Sequence, residues 1–175
     1  MLEGWHEFYT LLGTAAAALV ALLFVAASIG ASVFTAETAG ATRTFMSPVV
    51  FHYTNILFLS LIALVPEQSR QTFGITIAVA ALGSLVYSVY IFVRVFRTTL
   101  ADFADRIAYA SVPLLCYCAG LAASYELLFG NDEVGLYIIA GAALLLLLVN
   151  IRNAWDLMIS LARRSAERVN RPPSP

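Results

Sequence analysis

Between Glu7 and Glu37 the chain carries no charged side chain, and the middle of that stretch reads TAAAALVALLFVAASIG. As a helix rising 1.5 Å per residue, positions 8–36 would run for roughly 43 Å, against a bilayer hydrocarbon core of about 30 Å. The stretch therefore predicts a membrane span that reaches into both headgroup layers. A cleaved signal peptide would open on a basic segment and have a shorter apolar core. MLEGWHEFY instead carries two glutamates and neither Arg nor Lys, so the segment is expected to be retained.

This first span has two unlike faces. Thr14, Ala18, Ala21, Val25, Ser28 and Ser32 recur at alternating four and three residues, which stacks them along one side of a helix. Leu12, Leu19, Leu22, Ile29 and Val33 lie well round toward the other. In lipid, bulky apolar side chains gain little by leaving one oily surrounding for another, whereas small residues let backbones approach closely. The small face is thus the expected packing surface, and the bulky face the lipid-facing one.

The remainder repeats the theme. Of 175 residues 61% are hydrophobic and only 12% charged, about half the charge of an ordinary soluble domain. Further apolar runs cover 47–65, 73–96, 107–129 and 134–151, separated by short polar turns. The predicted fold is an all-α bundle of five transmembrane helices within residues 1–162, followed by a basic, Pro-rich tail at 163–175. Ser47 suits an N-cap and Pro48 the first helical position, so the second span is predicted to start there after a polar linker at 37–47. Thr99 is placed to cap a helix through an Asp102–Arg106 pair, and Pro113 is expected to bend the fourth span. Beyond Val149, the residues Ile151, Ala154, Trp155, Met158, Leu161 and Ala162 share a face, with Asn150, Arg152, Asn153 and Asp156 elsewhere. This predicts that the fifth helix extends into the cytoplasmic interface as an interfacial stretch at 152–162, with Trp155 at headgroup level.

Orientation is read from arginine, because the chain has no lysine. Five crossings would gather Arg43, Arg94, Arg97, Arg106, Arg152, Arg163, Arg164, Arg168 and Arg171 on one side and leave only Arg70 on the other. The positive-inside rule then predicts a cytoplasmic C-terminus and an N-terminus outside. Glu3, Glu7, Glu67, Glu126, Asp132 and Glu133 would make the outer side acidic, a field that concentrates cations unless these residues only wet the loops. The cytoplasmic arginines fit anionic lipid headgroups; the tail is too short and lacks the aromatics for nucleic acid recognition.

Candidate polar residues are few. His52 lies one turn into the predicted second span with Asn55 on its face, and an imidazole there needs a partner within the bundle. It is either a proton, cation or metal site or an ordinary interhelical hydrogen-bonder. His6 falls on the far side, so the two histidines cannot share a metal or haem within one subunit. Glu126, near the outer end of the fourth span, either lines a vestibule or snorkels to water. It is expected well over ~15 Å from His52. Thr76, Ser84, Tyr87, Ser88 and Arg94 run along one broad side of the third span, as a hydrated or subunit-facing stripe or as interhelical glue. Arg94 is expected to snorkel or to pair with Asp102 or Asp105. Cys116 and Cys118 point about 200° apart on a helix, so no disulfide joins them. No phosphate loop, carboxylate pair, nucleophile elbow or zinc spacing is present, so neither enzymatic activity nor a cofactor is expected.

The opening GWHEFYTLLGTAAAALVALLFVAASI resembles the start of small bacterial polytopic membrane proteins, some of which carry the label of protease modulator. That resemblance implies a bacterial inner-membrane location and no activity. Two tryptophans without a clustered Trp/Pro motif set the chain apart from the five-span tryptophan-rich sensory proteins. The expectation is a non-enzymatic homo-oligomer, either a small cation-preferring channel or a membrane scaffold. The alternative is an accessory subunit of a larger membrane complex or a modulator of a membrane protease.

Overall fold

A computed structural model describes the backbone of residues 2–29, 36–97 and 107–169, and side chains within 2–28, 48–97 and 109–159. Among these residues the chain is helical apart from short turns. A 3-10 turn at Glu3–Trp5 leads into α1 (His6–Ile29), followed by α2 (Ala36–Ala63) and α3 (Arg70–Arg97). A π turn at Ile107–Ser111 opens α4 (Val112–Phe129), and α5 (Asp132–Val169) closes the chain. Four of the helical stretches, Glu3–Ser28, Arg70–Arg97, Tyr109–Phe129 and Asp132–Ile159, are long and apolar enough to cross a bilayer. The fifth helix, α2, offers a shorter apolar piece, Pro48–Ala63. Several such helices suggest a multi-pass membrane protein.

The helices run antiparallel, so α1, α3 and α5 descend from one end of the bundle, the Trp5 end, and α2 and α4 return to it. Packing order differs from chain order: α1 pairs with α2, α3 with α4, and α5 lies against both α4 and α2, whereas α2 and α3 touch only lightly. At the Trp5 end the Trp5 ring meets Phe8 and Tyr137 edge-on, at centroid distances of 5.7 and 5.2 Å. Amphipathic rings of this kind favour a membrane interface.

Glycines set the closest approaches. A Cβ on Gly13 would stand 2.9 Å from that of Ser60, so α1 and α2 meet backbone to backbone there. On Gly135 it would reach the Ala123 carbonyl oxygen at 3.0 Å, which seats α5 on α4.

Arg70 fastens the Trp5 end. Its guanidinium donates to the carbonyl oxygens of Leu127 and, at 3.0 Å, of Gly130, with a longer contact of 3.4 Å to Glu126 O. These acceptors lie at the C-terminal end of α4, where helix carbonyls run out of intrahelical donors, although Glu126 O also accepts from the Gly130 N–H at 2.9 Å. Nε also lies 2.8 Å from the Asp132 carboxylate in the first turn of α5. Ser69 caps α3, accepting from the Thr72 N–H at 3.1 Å, and Asn131 caps α5, accepting from the Glu133 N–H at 2.9 Å. The only arginine expected at this end is therefore a structural clasp.

Several expectations need correction. The polar segment 37–47 is not a linker, because α2 runs through it and holds Pro48 in its interior. A proline removes one helical hydrogen bond, and with Pro48 and Val49 fully buried the packing holds that turn in place. Pro113 lies in the first turn of α4, directly after the widened π turn at Ile107–Ser111. The last helix continues through 152–162 without a break, as expected, α5 being one helix of 38 residues. In α1 the small face is not packed within the protomer, whereas of the bulky face Leu12 is buried and Leu22 is exposed. Tyr9, Leu12, Ala16 and Leu23 are buried, while Thr14, Ala18, Ala21, Val25 and Ser28 look outward. Tyr9 and Leu12 fill the seam against α2 that Gly13 opens. Ser32, Thr99, Asp102, Asp105 and Arg106 lie outside the described residues.

Two substitutions test these contacts. Gly13→Leu should lower stability in detergent by about 1–3 kcal/mol through overpacking against Ser60, whereas Gly141→Ala, with open space around it, should be neutral or stabilising. Arg70→Gln should cost about 1–3 kcal/mol, seen as a lower thermal transition.

Candidate functional site

Several polar side chains lie inside the bundle while large apolar ones face outward. His52, Ser84, Ser88, Asn150 and Asn153 are each at most 3% exposed, while Leu22, Val79, Val86, Leu148 and Trp155 are more than half exposed. Such an arrangement is what lipid demands of a helix bundle, since a hydroxyl, amide or imidazole can find a partner only among neighbouring helices.

At the centre, His52 of α2 faces Tyr117 of α4, with Nδ1 and the phenolic oxygen 2.8 Å apart. One helical turn along α2, Asn55 Oδ1 accepts from Ser84 Oγ of α3 at 3.0 Å, and its amide group donates to the Phe51 carbonyl at 3.0 Å. Phe51 packs on Tyr87, with 4.2 Å between ring centroids. A cavity of about 80 Å³ adjoins this group, lined by Asn55, Phe58, Ile77, Ser84, Tyr117 and Leu146 among others. The other ring nitrogen, His52 Nε2, is buried with no hydrogen-bond partner among the described residues, as are Ser88 Oγ and Asn150 Oδ1.

The candidate residues thus divide. His52, Asn55 and Ser84 come together, with Tyr87 stacked on the margin and Ser88 buried one turn further along α3. Their stripe on α3 faces the interior rather than a neighbouring subunit. Arg94 is exposed and lies over Tyr90, to whose hydroxyl it donates at 3.2 Å. Glu126 turns back on its own helix end, where Oε2 accepts from the Asn131 N–H at 3.1 Å. His52 lies one turn into the apolar piece Pro48–Ala63, although α2 itself begins at Ala36, roughly four turns earlier. Tyr117, its partner, is nine residues from Glu126, roughly 14 Å of helix rise.

Three participants escaped the sequence reading. Tyr117 sits in an apolar run beside Cys116, yet it belongs to the spacing Pro113, Tyr117, Gly120, Ser124 that marks α4's inner face. Asn150 and Asn153 appeared to be the wet side of an emerging helix and are instead buried, with the Asn153 carbonyl accepting from Tyr109 Oη at 2.7 Å. Beyond the cavity, Phe73, Ala123 and Leu127 lie in the Trp5 half of the core with no exposed surface.

A double-mutant cycle checks the central pair. Tyr117→Phe should destabilise by about 1–3 kcal/mol, since it leaves a buried imidazole nitrogen without its partner. Combining it with His52→Leu should cost less than the sum of the two single changes; strict additivity would dissolve the pair.

Comparison with family models, with curated proteins and with solved structures gives no match to this chain, so its geometry carries the functional reading.

Proposed function

We propose that the chain is a non-enzymatic, multi-pass protein of the bacterial inner membrane that assembles with copies of itself into a small cation-preferring channel or a scaffold of the same shape. The carrying observation is the outward face of α1, where Glu7, Thr14, Ala18, Ala21, Val25 and Ser28 are exposed at three-, four- and seven-residue spacing. The core of the protomer is packed without them, and small residues at such spacing are what close helix–helix contact in lipid requires. Thr14 and Ser28 bind their own backbone, at Thr10 O and Phe24 O, both 2.8 Å, so they leave no unsatisfied hydroxyl on that face.

In this reading the arginine-rich end faces the cytoplasm and the Trp5 end faces out. Because apolar side chains plug half of the protomer's core, an ion path would run between protomers. Copies joined through α1 would bring Glu7 residues together at its outer mouth, which favours cations. An accessory subunit of a larger complex would use the same face toward a different protein.

Cysteine cross-linking in native membranes discriminates these. In a Cys116→Ser, Cys118→Ser background, Ala18→Cys and Ala21→Cys should give a ladder of self-linked species, while Val79→Cys on α3 should not. Liposomes should pass potassium in preference to chloride, and Glu7→Gln should weaken that preference. A self-linked ladder without flux leaves the scaffold; cross-links only to another protein would overturn self-assembly.

A further inference from the structure

The second large opening lies on the opposite half of the bundle from the Glu126 turn. α1 and α5 diverge there, and a groove of about 470 Å³ opens between them, floored by Tyr53 of α2. Leu19, Leu22, Leu23 and Ala26 form one wall, and Leu148, Ile151, Arg152, Ala154, Trp155 and Met158 the other. The walls are apolar with two exceptions. Arg152 is half exposed on the groove wall, with its Nε 3.8 Å from the Asp156 carboxylate. Tyr53 is fully buried, and its hydroxyl has no hydrogen-bond partner among the described residues.

These features sort by depth. Asn55 shares the central cavity with Leu146, so Tyr53, two residues further from the Trp5 end, stands near the level of Leu148. Arg152 lies one turn beyond, and the exposed Trp155 ring nearly another. From the membrane interior outward the groove therefore presents a hydrogen-bond donor, then a cation, then an aromatic ring, all along an apolar wall. A diacyl phospholipid offers the matching sequence, with acyl chain innermost, ester carbonyls next and phosphate beyond. Trp at headgroup level and Arg beside lipid phosphate are the usual interfacial partners.

We propose that this groove is a binding site for one anionic phospholipid, whose phosphate meets Arg152 and whose ester carbonyl accepts from Tyr53 Oη. The site uses a different strip of α1 from the self-association face, so it stands whether or not that face joins copies.

Native mass spectrometry of the full chain, after exchange into phosphatidylglycerol or phosphatidylcholine micelles, tests it. Wild type should retain phosphatidylglycerol about fivefold more than phosphatidylcholine, the factor expected for one arginine near an anionic headgroup. Arg152→Gln should bring that ratio near one. Tyr53→Phe should lower retention of both lipids without changing their ratio. Ala26→Trp, which fills the groove, should abolish retention, and Ala154→Phe fills it from the other wall should the first variant fail to fold. Equal retention of the two lipids by wild type would overturn the proposal. So would unaltered retention in both filled variants, or loss of self-association rather than of lipid on filling, which would identify a second copy as the occupant. The oligomer count is read from the same spectra, which separates failure of this site from failure of the α1 interface.

Discussion

A buried imidazole against a phenol, His52 on Tyr117, shows the constraint that shapes this molecule. Where the surroundings are hydrocarbon, apolar side chains have no reason to gather inside, and polar ones have no other place to go. Thus Asn150 and Ser84 lie in the interior while Leu148 and Val86 face outward. The bundle's specificity resides in a handful of hydrogen bonds and in the places where two backbones nearly touch.

Those close approaches divide the work with one charged clasp. Gly13 against Ser60 fixes the first helical pair, and Gly135 against the Ala123 carbonyl seats the last helix. At the Trp5 end, Arg70 satisfies carbonyls that α4 leaves open and draws in the first turn of α5. A single side chain so joins three helices at one end of the bundle. The polar centre and this clasp lie on opposite sides of the apolar plug formed by Phe73, Ala123 and Leu127.

Much of the architecture is legible from hydropathy alone, because uncharged runs of this length leave few options: the helices, their number and their approximate limits follow. Their facing does not. The polar character of Asn150 and Asn153 assigned them to the wet side of a helix, and the small-residue rule for lipid assigned Leu12 to the outer face; in each case the neighbours decide otherwise. Pro48 looked like a start signal because serine precedes it, yet a proline inside a well-packed helix forfeits only one bond, and nothing local distinguishes the two. His52 and Asn55 stood out as polar residues in an apolar run. Tyr117 did not, because aromatic residues are at home both in lipid and in a core. Arg70 was visible as an isolated charge, but its role needed the ends of two distant helices brought together.

The order of packing bears on how such a chain is made. The α1–α2 and α3–α4 hairpins each hold together, but they meet each other only lightly, and α5 is what bridges them. Ribosomes deliver that bridging segment after the other four helices. Until then a membrane would hold two loosely associated hairpins, with Asn55 and Ser84 as one polar tie between them. Their joining is then a late zippering rather than a gradual accretion, which leaves nascent copies open to quality control until α5 has been threaded in.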